Sequence, residues 1–341
     1  MKKNLIYLAI LIVSVASVYY FIYYDPNSTL QPDERTFAFE DTASVAKIFI
    51  SDMNGTRITF VREQNGWKIQ ETGLNSRKDV TDLMLRTIKN LAVRYPVSKA
   101  AMQNAIKDIA THNKKIELYD KQGERLRSFL LGPPAPDGKG NFILAEQAET
   151  PYVVWNTGFV GSLESRFSTD VNEVRSRIVL SIPFQSLAEI TVQHSNPQLS
   201  SFSINVEKPD SFLIRNTVSG EVLPNKKIDK SKVFEYIDFL KAVYCEVIVT
   251  SPDEIKNALE QKPFCTVTLR LRNGSQQQVM CYYKEITQRS KSQTDEKGNP
   301  RPYDLDRFYG VLNGNKDVYL LQDYHFGKLI QTVEYFKKSD S

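Results

Sequence analysis

The sequence predicts an α+β protein: an N-terminal transmembrane helix followed by two tandem, internally repeated units of mostly antiparallel sheet with helices packed on one face. Three observations lead there. A charge-free apolar run extends from Leu5 to Tyr24. Behind it, short stretches of alternating apolar and polar residues are separated by turn dipeptides such as Asn-Gly, the pattern of hairpin-linked strands. The same order of parts then occurs from about Ala46 to Trp155 and again from about Leu187 to Gln331. That order is a three-stranded meander, a long amphipathic helix, a short helix and paired hairpin strands. The resulting division is an anchor over 1–24, a linker over 25–43, a first unit over 44–160, a connector over 161–186, a second unit over 187–336 and a tail over 337–341.

The apolar run has the roughly twenty residues that a helix needs to cross ~30 Å of hydrocarbon. Lys2 and Lys3 precede it, and Asp25, Asp33, Glu34, Glu40 and Asp41 follow against a single Arg35. The positive-inside rule therefore places the N-terminus in the cytoplasm and the folded part in the periplasm or outside, on a single-pass anchor in the cytoplasmic membrane. Tyr19, Tyr20, Tyr23 and Tyr24 stand at the outer end like an aromatic belt. The alternative is a cleaved signal peptide ending near Val15-Ala16-Ser17, although the apolar run continues past that site. The stretch from Asp25 to Thr42, rich in Pro, Ser, Thr and acids, reads as an extended spacer.

In the first unit, Ile48 and Ile50, then Ile58 and Phe60, alternate as half-buried strands around Asn54-Gly55, and Asn65-Gly66 leads into a strand with Trp67. Ser76 and Asp79 mark a helix start, and Val80, Met84, Ile88, Leu91 and Tyr95 recur at helical spacing up to Pro96. A shorter helix follows Ser98, with Met102, Ala105, Ile106 and Ile109 on one side. Strands flank Gln122-Gly123, and Asn141 to Gln147 and Pro151 to Trp155 complete the unit.

The second unit repeats the scheme. Phe212 takes the place of Trp67, and a helix from near Asp229 carries Val233, Ile237, Leu240 and Tyr244, so that Tyr244 corresponds to Tyr95. Ser251-Pro252-Asp253-Glu254 combines an N-cap serine, a proline at the first helical position and a capping-box glutamate. Gly274 matches Gly123 and Tyr319 matches Tyr152. Because residue identity between the halves is low, two unrelated α+β domains of similar order are the competing account.

At 341 residues the chain has room for two domains of ~150 residues. Its net charge of +4 is small and dispersed, unlike the concentrated basic face that nucleic acid requires. The three cysteines, Cys245, Cys265 and Cys281, lack the close doublets of a zinc site and read as buried hydrophobes. One disulfide is conceivable, and the turn at Arg272-Asn273-Gly274 governs it. A three-residue loop sets Cys265 opposite Cys281, whereas a two-residue Asn-Gly turn puts them on opposite faces.

The run from Gly132 through Asn141 to Pro151-Tyr152-Val153-Val154, then Gly158-Phe159, Arg166-Phe167, Asp170, Arg175 and Arg177, resembles the domain of unknown function 4340 family. The segment at Trp67 and the helix after it fit as well. The resemblance implies a single-span membrane protein with its folded region outside, in an accessory role beside ABC-type export or gliding components. It implies no catalytic residues.

His112, His194 and His325 have no helical ligand spacing, and no P-loop, nucleophile-elbow or dinucleotide motif occurs. The loop from Gly132 to Gly140 is not placed between a strand and a helix as a phosphate loop would be, and reads as a stiff hairpin connection. Asp295, Glu296, Asp304 and Asp306 could ligate a hard cation. They lie among Lys291, Lys297, Arg301 and Arg307, so the segment from Thr287 to Asp306 is expected to be a solvated, mobile insertion in which Asp304→Ala costs no more than ~0.5 kcal/mol.

Arg166, Asp170, Glu173, Arg175 and Arg177 form the densest charge cluster outside that insertion. They are expected to serve as an inter-repeat latch or a partner-docking surface. The functional expectation is a non-enzymatic accessory or scaffold protein without cofactors, bound to inner-membrane lipid through Leu5 to Tyr24 and to a membrane protein of an export system. The alternative is an envelope hydrolase or small-ligand-binding protein with a site between the repeat units.

Overall fold

The computed structural model describes residues 13–14, 37–146, 148–208, 211–312 and 317–338. The expected span Leu5–Tyr24 (Val13 and Ser14 apart), most of the linker, the Pro209-Asp210 turn and residues 339–341 lie outside them. No described helix is long and apolar enough to cross a membrane. The chain divides into two compact units, Met1–Ser176 and Arg177–Ser341.

The first unit contains, in order, β1 (Lys47–Asp52), β2 (Arg57–Glu63), β3 (Gly66–Ile69), α1 (Lys78–Lys89), β4 (Leu91–Pro96), α2 (Met102–Thr111), β5 (Lys114–Tyr119), β6 (Arg125–Pro134), β7 (Asn141–Ala145), β8 (Tyr152–Asn156) and α3 (Val171–Val174). The second contains β9 (Ile178–Leu180), β10 (Leu187–His194), β11 (Phe202–Lys208), β12 (Ser211–Asn216), α4 (Lys230–Phe239), β13 (Val243–Tyr244), β14 (Val247–Val249), α5 (Pro252–Leu259), β15 (Cys265–Leu271), β16 (Gln276–Tyr283), β17 (Arg307–Leu312), β18 (Val318–Gln322) and α6 (Asp323–Phe326).

Each unit is built on an eight-stranded sheet, ordered β3-β2-β1-β5-β6-β7-β8-β4 in the first and β12-β11-β10-β15-β16-β17-β18-β14 in the second. Strand for strand, the two orders coincide. Neighbours pair antiparallel throughout the first sheet and throughout the second. The central hairpins match in detail. Gly123 and Gly274 both lie in the left-handed region, at φ 88° and 85°, where a side chain would be strained. Each closes a three-residue loop, through Asp120 N–H to Glu124 O at 3.0 Å and Leu271 N–H to Ser275 O at 2.9 Å. Trp67 and Phe212 are each the second residue of an edge strand, and both are buried in their cores.

The helices do not share one face. Phe129, Leu131, Ile143 and Val154 pack with Met84 and Ile88 of α1, whereas Leu130, Phe142, Leu144 and Val153 pack with Ala105 and Ile109 of α2. Successive strand residues point to opposite faces, so α1 and α2 cover opposite sides of the sheet. In the second unit Val279, Cys281 and Leu321 lie with Val233 and Ile237 of α4, while Met280, Tyr282 and Leu320 lie with Ile255 and Ala258 of α5. The expected one-sided layer is thus a helix–sheet–helix sandwich in both units. Strands such as Phe-Ile-Leu at 142–144, apolar on both faces, have the composition that this arrangement requires.

The first long helix is shorter than its apolar spacing suggests. It ends at Lys89, where the Asn90 N–H closes onto the carbonyls of Arg86 and Thr87. Leu91 and Tyr95 then belong to β4, paired with β8. Pro96 disfavours a helical Tyr95, and the ladder to β8 satisfies backbone groups that an exposed last turn would leave to water. Ser76 is not the cap either, since its hydroxyl donates to the carbonyls of Arg77 and Val174 and Arg77 occupies the N-cap position. Tyr244 is 56% exposed in β13, which pairs only with β9, so it corresponds neither to a core helix position nor to Tyr95. The short helix begins at Met102 with Ala101, not Ser98, at its N-cap, while the two helix starts of the second unit agree with the sequence. The Asp229 carboxylate accepts from Ser231 N–H and Lys232 N–H, and the Ser251 hydroxyl accepts from Glu254 N–H ahead of Pro252.

The expected connector is largely part of the first unit, because Leu163, Phe167 and Val174 are buried in the α1-side core. The 132–140 loop is the tight connection expected. Asp137 accepts from the Tyr95 hydroxyl and from Lys139 N–H, and a Cβ on Gly140 would collide with the carbonyl oxygen of Val154. Gly140→Ala is therefore expected to lower stability by about 1–3 kcal/mol, read from a urea unfolding midpoint, because backbone rather than a flexible side chain must move.

Candidate functional site

The residues with the most chemistry gather on the second unit. Around a cavity of 630 Å³ stand Glu246, Glu254, Lys284, Arg289, Asp304 and Arg307. Glu246, just ahead of β14, accepts from Arg307 Nε at 2.7 Å and Nη2 at 3.2 Å, and from Gln322 at 3.0 Å. The Arg307 bond is the main reason its carboxyl is held below the usual range, and burial only partly opposes it. Asp304 accepts from the Ser290 hydroxyl at 2.7 Å and from Asp306 N–H at 2.9 Å, with the Lys284 ammonium at 3.6 Å. Burial pushes the Asp304 carboxyl up, but these donors together outweigh it and the net shift is downward. The Tyr309 hydroxyl on β17 donates to Glu254 of α5 at 3.3 Å, and burial raises its pKa well above the usual phenol range.

Chemically its centre is two neutralised pairs, Arg307 with Glu246 and Lys284 with Asp304. A carboxylate held below its usual range is a weak general base, and the Ser290 hydroxyl donates to such a carboxylate rather than to a base that could activate it. What the set does accomplish is mechanical. It fastens the 287–306 segment onto the sheet, helped by Tyr303, which stacks on Tyr283 at 3.9 Å, and by Tyr283, which stacks on Phe264 at 4.4 Å. The expectation of a mobile insertion is corrected accordingly: Ser290 and Asp304 are buried, at 5% and 4% exposure. The cation arrangement is not assembled. Asp295 caps its own turn through Lys297 N–H and Asn299 N–H, and among the described residues no three metal-ligating side chains converge.

The connector residues are placed separately. Arg166 donates to the Thr87 hydroxyl at 2.9 Å and lies 3.8 Å over the Phe159 ring. Asp170 caps α3 through Asn172 N–H, and Glu173 accepts from the Ser168 hydroxyl. All of these contacts are within the first unit. Arg175 follows α3, with its N–H on the Val171 carbonyl, and the Arg177 carbonyl accepts from Cys245 N–H in the second unit. The histidines are dispersed: His112 faces Glu164 at 3.3 Å, His194 bonds the Gln331 carbonyl at 2.8 Å and His325 meets the edge of Tyr324.

A second feature lies beside α4. A groove of 790 Å³ is lined by Phe184, Phe234, Phe239, Tyr335, Lys241 and Lys328. Phe234 stacks on Phe184 at 6.0 Å and meets Phe212 edge-on at 5.1 Å, yet remains 36% exposed. Helix α4 buries Val233, Tyr236 and Ile237 and turns Phe234 outward. At the equivalent place in the strand order, α1 presents Lys78, Asp79, Arg86 and Lys89 to solvent. Lys241 pairs with Asp238. The Lys328 ammonium sits 5.5 Å over the Phe239 ring, and among the described residues no carboxylate lies within ion-pair reach of it.

Asp304 stands out in the sequence as an acidic residue of the insertion, whereas its partners and this groove do not. Ion pairs across distant strands leave no local pattern. The groove did leave a signal, in Phe234 and Phe239, which fall off the Val233–Ile237–Leu240 stripe. The chain matches no family model, no curated protein and no solved structure.

Proposed function

We propose that this is a membrane-anchored extracytoplasmic accessory or scaffold protein that mediates protein interactions, serving an ABC-type export or envelope machine. The observation that carries the reading is the α4 groove. Phe234 and Phe239 on α4, with Phe184 and Tyr335 from neighbouring turns, form the kind of apolar patch that soluble surfaces keep small unless a partner covers it. Its occupant is an apolar segment of a membrane protein carrying an acidic residue, which would meet the Lys328 ammonium held over the Phe239 and Tyr324 rings at the rim. The identical strand orders support duplication of one ancestral unit. The charge-free run behind Lys2 and Lys3 supports the anchor, and the resemblance to the domain of unknown function 4340 family supports the accessory role.

Affinity capture of the intact protein from membranes is the test. Phe234→Asp is expected to reduce capture of the membrane partner at least tenfold while shifting thermal unfolding by no more than a few degrees. Charge reversal at Arg175 and Arg177 is expected to leave capture in place. Capture that survives Phe234→Asp but is lost on the double reversal would move the docking surface to the connector. The topology has its own measurement. Protease added to spheroplasts should degrade both sheet units, and the mature N-terminus should precede Leu5. Protection of the units, or a mature N-terminus at Val18, would count against the anchored arrangement.

A further inference from the structure

Strands β15 and β16 run side by side in the second sheet, and their register places Cys265 directly opposite Cys281. The hairpin sets this register. Its loop is Arg272-Asn273-Gly274, closed by Leu271 N–H to Ser275 O at 2.9 Å and Gly274 N–H to Leu271 O at 3.0 Å, with Gly274 in the left-handed region. A loop one residue shorter would turn the two side chains to opposite faces. Both cysteines lie in the core under α4 with 0% exposure, and both carry free thiols here. Opposed residues of an antiparallel pair have Cα atoms about 4.5–5.5 Å apart, within the range of about 4.4–6.8 Å that a disulfide spans. Cys245 lies in the same core but outside this ladder.

We propose that Cys265 and Cys281 are joined by a cross-strand disulfide in the mature protein, closed as the β15–β16 hairpin forms. The oxidant is a disulfide of the compartment, either a small-molecule disulfide or an oxidised dithiol protein. One cysteine thiolate attacks a sulfur of that disulfide and releases the first thiol. The second cysteine thiolate attacks the mixed disulfide and releases the other. Two protein thiols and one external disulfide thus become one protein disulfide and two external thiols, with the protons passing to the departing thiolates.

The fold dictates when this happens. Burial pushes the Cys265 thiol up to about 12 and the Cys281 thiol well above its ordinary value, so thiols already sealed in the core are unreactive. Closure therefore belongs to folding, and the same burial shields the finished bond from reductants. The proposal rests on the extracytoplasmic reading, because cytosolic thiols are kept reduced.

The test separates the two claims. Full-length protein in detergent micelles is denatured, reduced, refolded with oxidised and reduced glutathione, and then alkylated in denaturant without further reduction, so that every free thiol is reached. The expected product carries one alkylated cysteine, Cys245, and a cross-linked peptide pair joining Cys265 to Cys281. Reductant added together with denaturant should restore three alkylation sites, and protein refolded with its thiols kept reduced should unfold about 5–10 °C below the oxidised protein. The double variant C265S/C281S should lose that response to reductant, whereas C245S should keep it. Three alkylated cysteines after oxidative refolding, or a cross-link through Cys245, would overturn the proposal. Protein taken directly from membranes is alkylated in denaturant in parallel. A bond present there supports the proposal. Its absence in protein that spheroplast protease reaches overturns the bond in the mature protein. A bond that forms on refolding but is absent from protein the protease cannot reach overturns both the extracytoplasmic reading and the mature-state bond.

Discussion

Asp304→Ala is expected to destabilise the second unit by about 2–4 kcal/mol, because it removes the anion from a buried array and leaves its partners in place. The Lys284 side chain is 11% exposed and stands 3.6 Å from the carboxylate, whose own side chain is 2% exposed. The Ser290 hydroxyl and the Asp306 N–H lose their acceptor in the same step. Lys284→Met combined with Asp304→Ala should recover part of the loss, since the pair then goes together. Hydrogen exchange of the β16 and β17 amides is the measurement, and an exchange pattern unchanged in the single variant would show that water already reaches the pair. The array also has a pH signature. Asp304 and Glu246 both titrate below their ordinary values in the folded protein. Their contribution is therefore complete above the unfolded carboxylate range, near ~4, and is lost as the pH falls through the lower folded values. The slope of stability against pH below ~4 should be shallower in Asp304→Ala than in the parent.

Trp67→Ala is expected to cost about 3–5 kcal/mol in the first unit. The indole is 8% exposed in the α1-side core, with the Arg62 guanidinium 4.7 Å over its ring. It belongs to β3, a four-residue edge strand whose Trp67 carbonyl also accepts from Ser76 N–H at 2.7 Å, immediately before α1. Removing the indole opens a cavity at the point where an edge strand and a helix entry meet, and a short edge strand has little else to hold it. Both tryptophans of the chain, Trp67 and Trp155, are in the first unit, so Trp155 fluorescence during urea unfolding reports the loss directly. A midpoint that did not move would show that β3 is dispensable to this core.

What was legible in the sequence was local. Asn-Gly turns, the glycine at Gly123 and its counterpart Gly274, and the capping serine with Pro252 each act within a few residues, and each is found where the pattern placed it. The repeated order of elements was legible because it is a sum of such signals. What was not legible depended on partners distant in the chain. Leu91 to Pro96 fits a helical stripe by spacing and becomes a strand because β8, some sixty residues later, supplies a ladder. Helical periodicity marks an inward face but does not say which side of a sheet the helix covers, so nothing local puts α2 and α5 on the face opposite α1 and α4. Asp304 sits among lysines and arginines in sequence and looks solvated; its burial comes from Lys284 and Ser290.

The strand orders also bear on how the chain folds as it is made. In each unit a strand between the long and the short helix lies at the far edge, β4 beside β8 and β14 beside β18. Each is synthesised well before the only strand it pairs with in its large sheet, and for that interval it presents an unmatched row of amide and carbonyl groups. Sheet completion therefore waits on the last strand of the unit. A nascent chain halted before Tyr152, or a fragment ended before Val318, loses two strands rather than one, because the earlier strand has nothing left to bind. Chaperone capture or aggregation should accordingly peak in chains paused between Pro96 and Tyr152 and again between Val249 and Val318, falling as β8 and then β18 emerge.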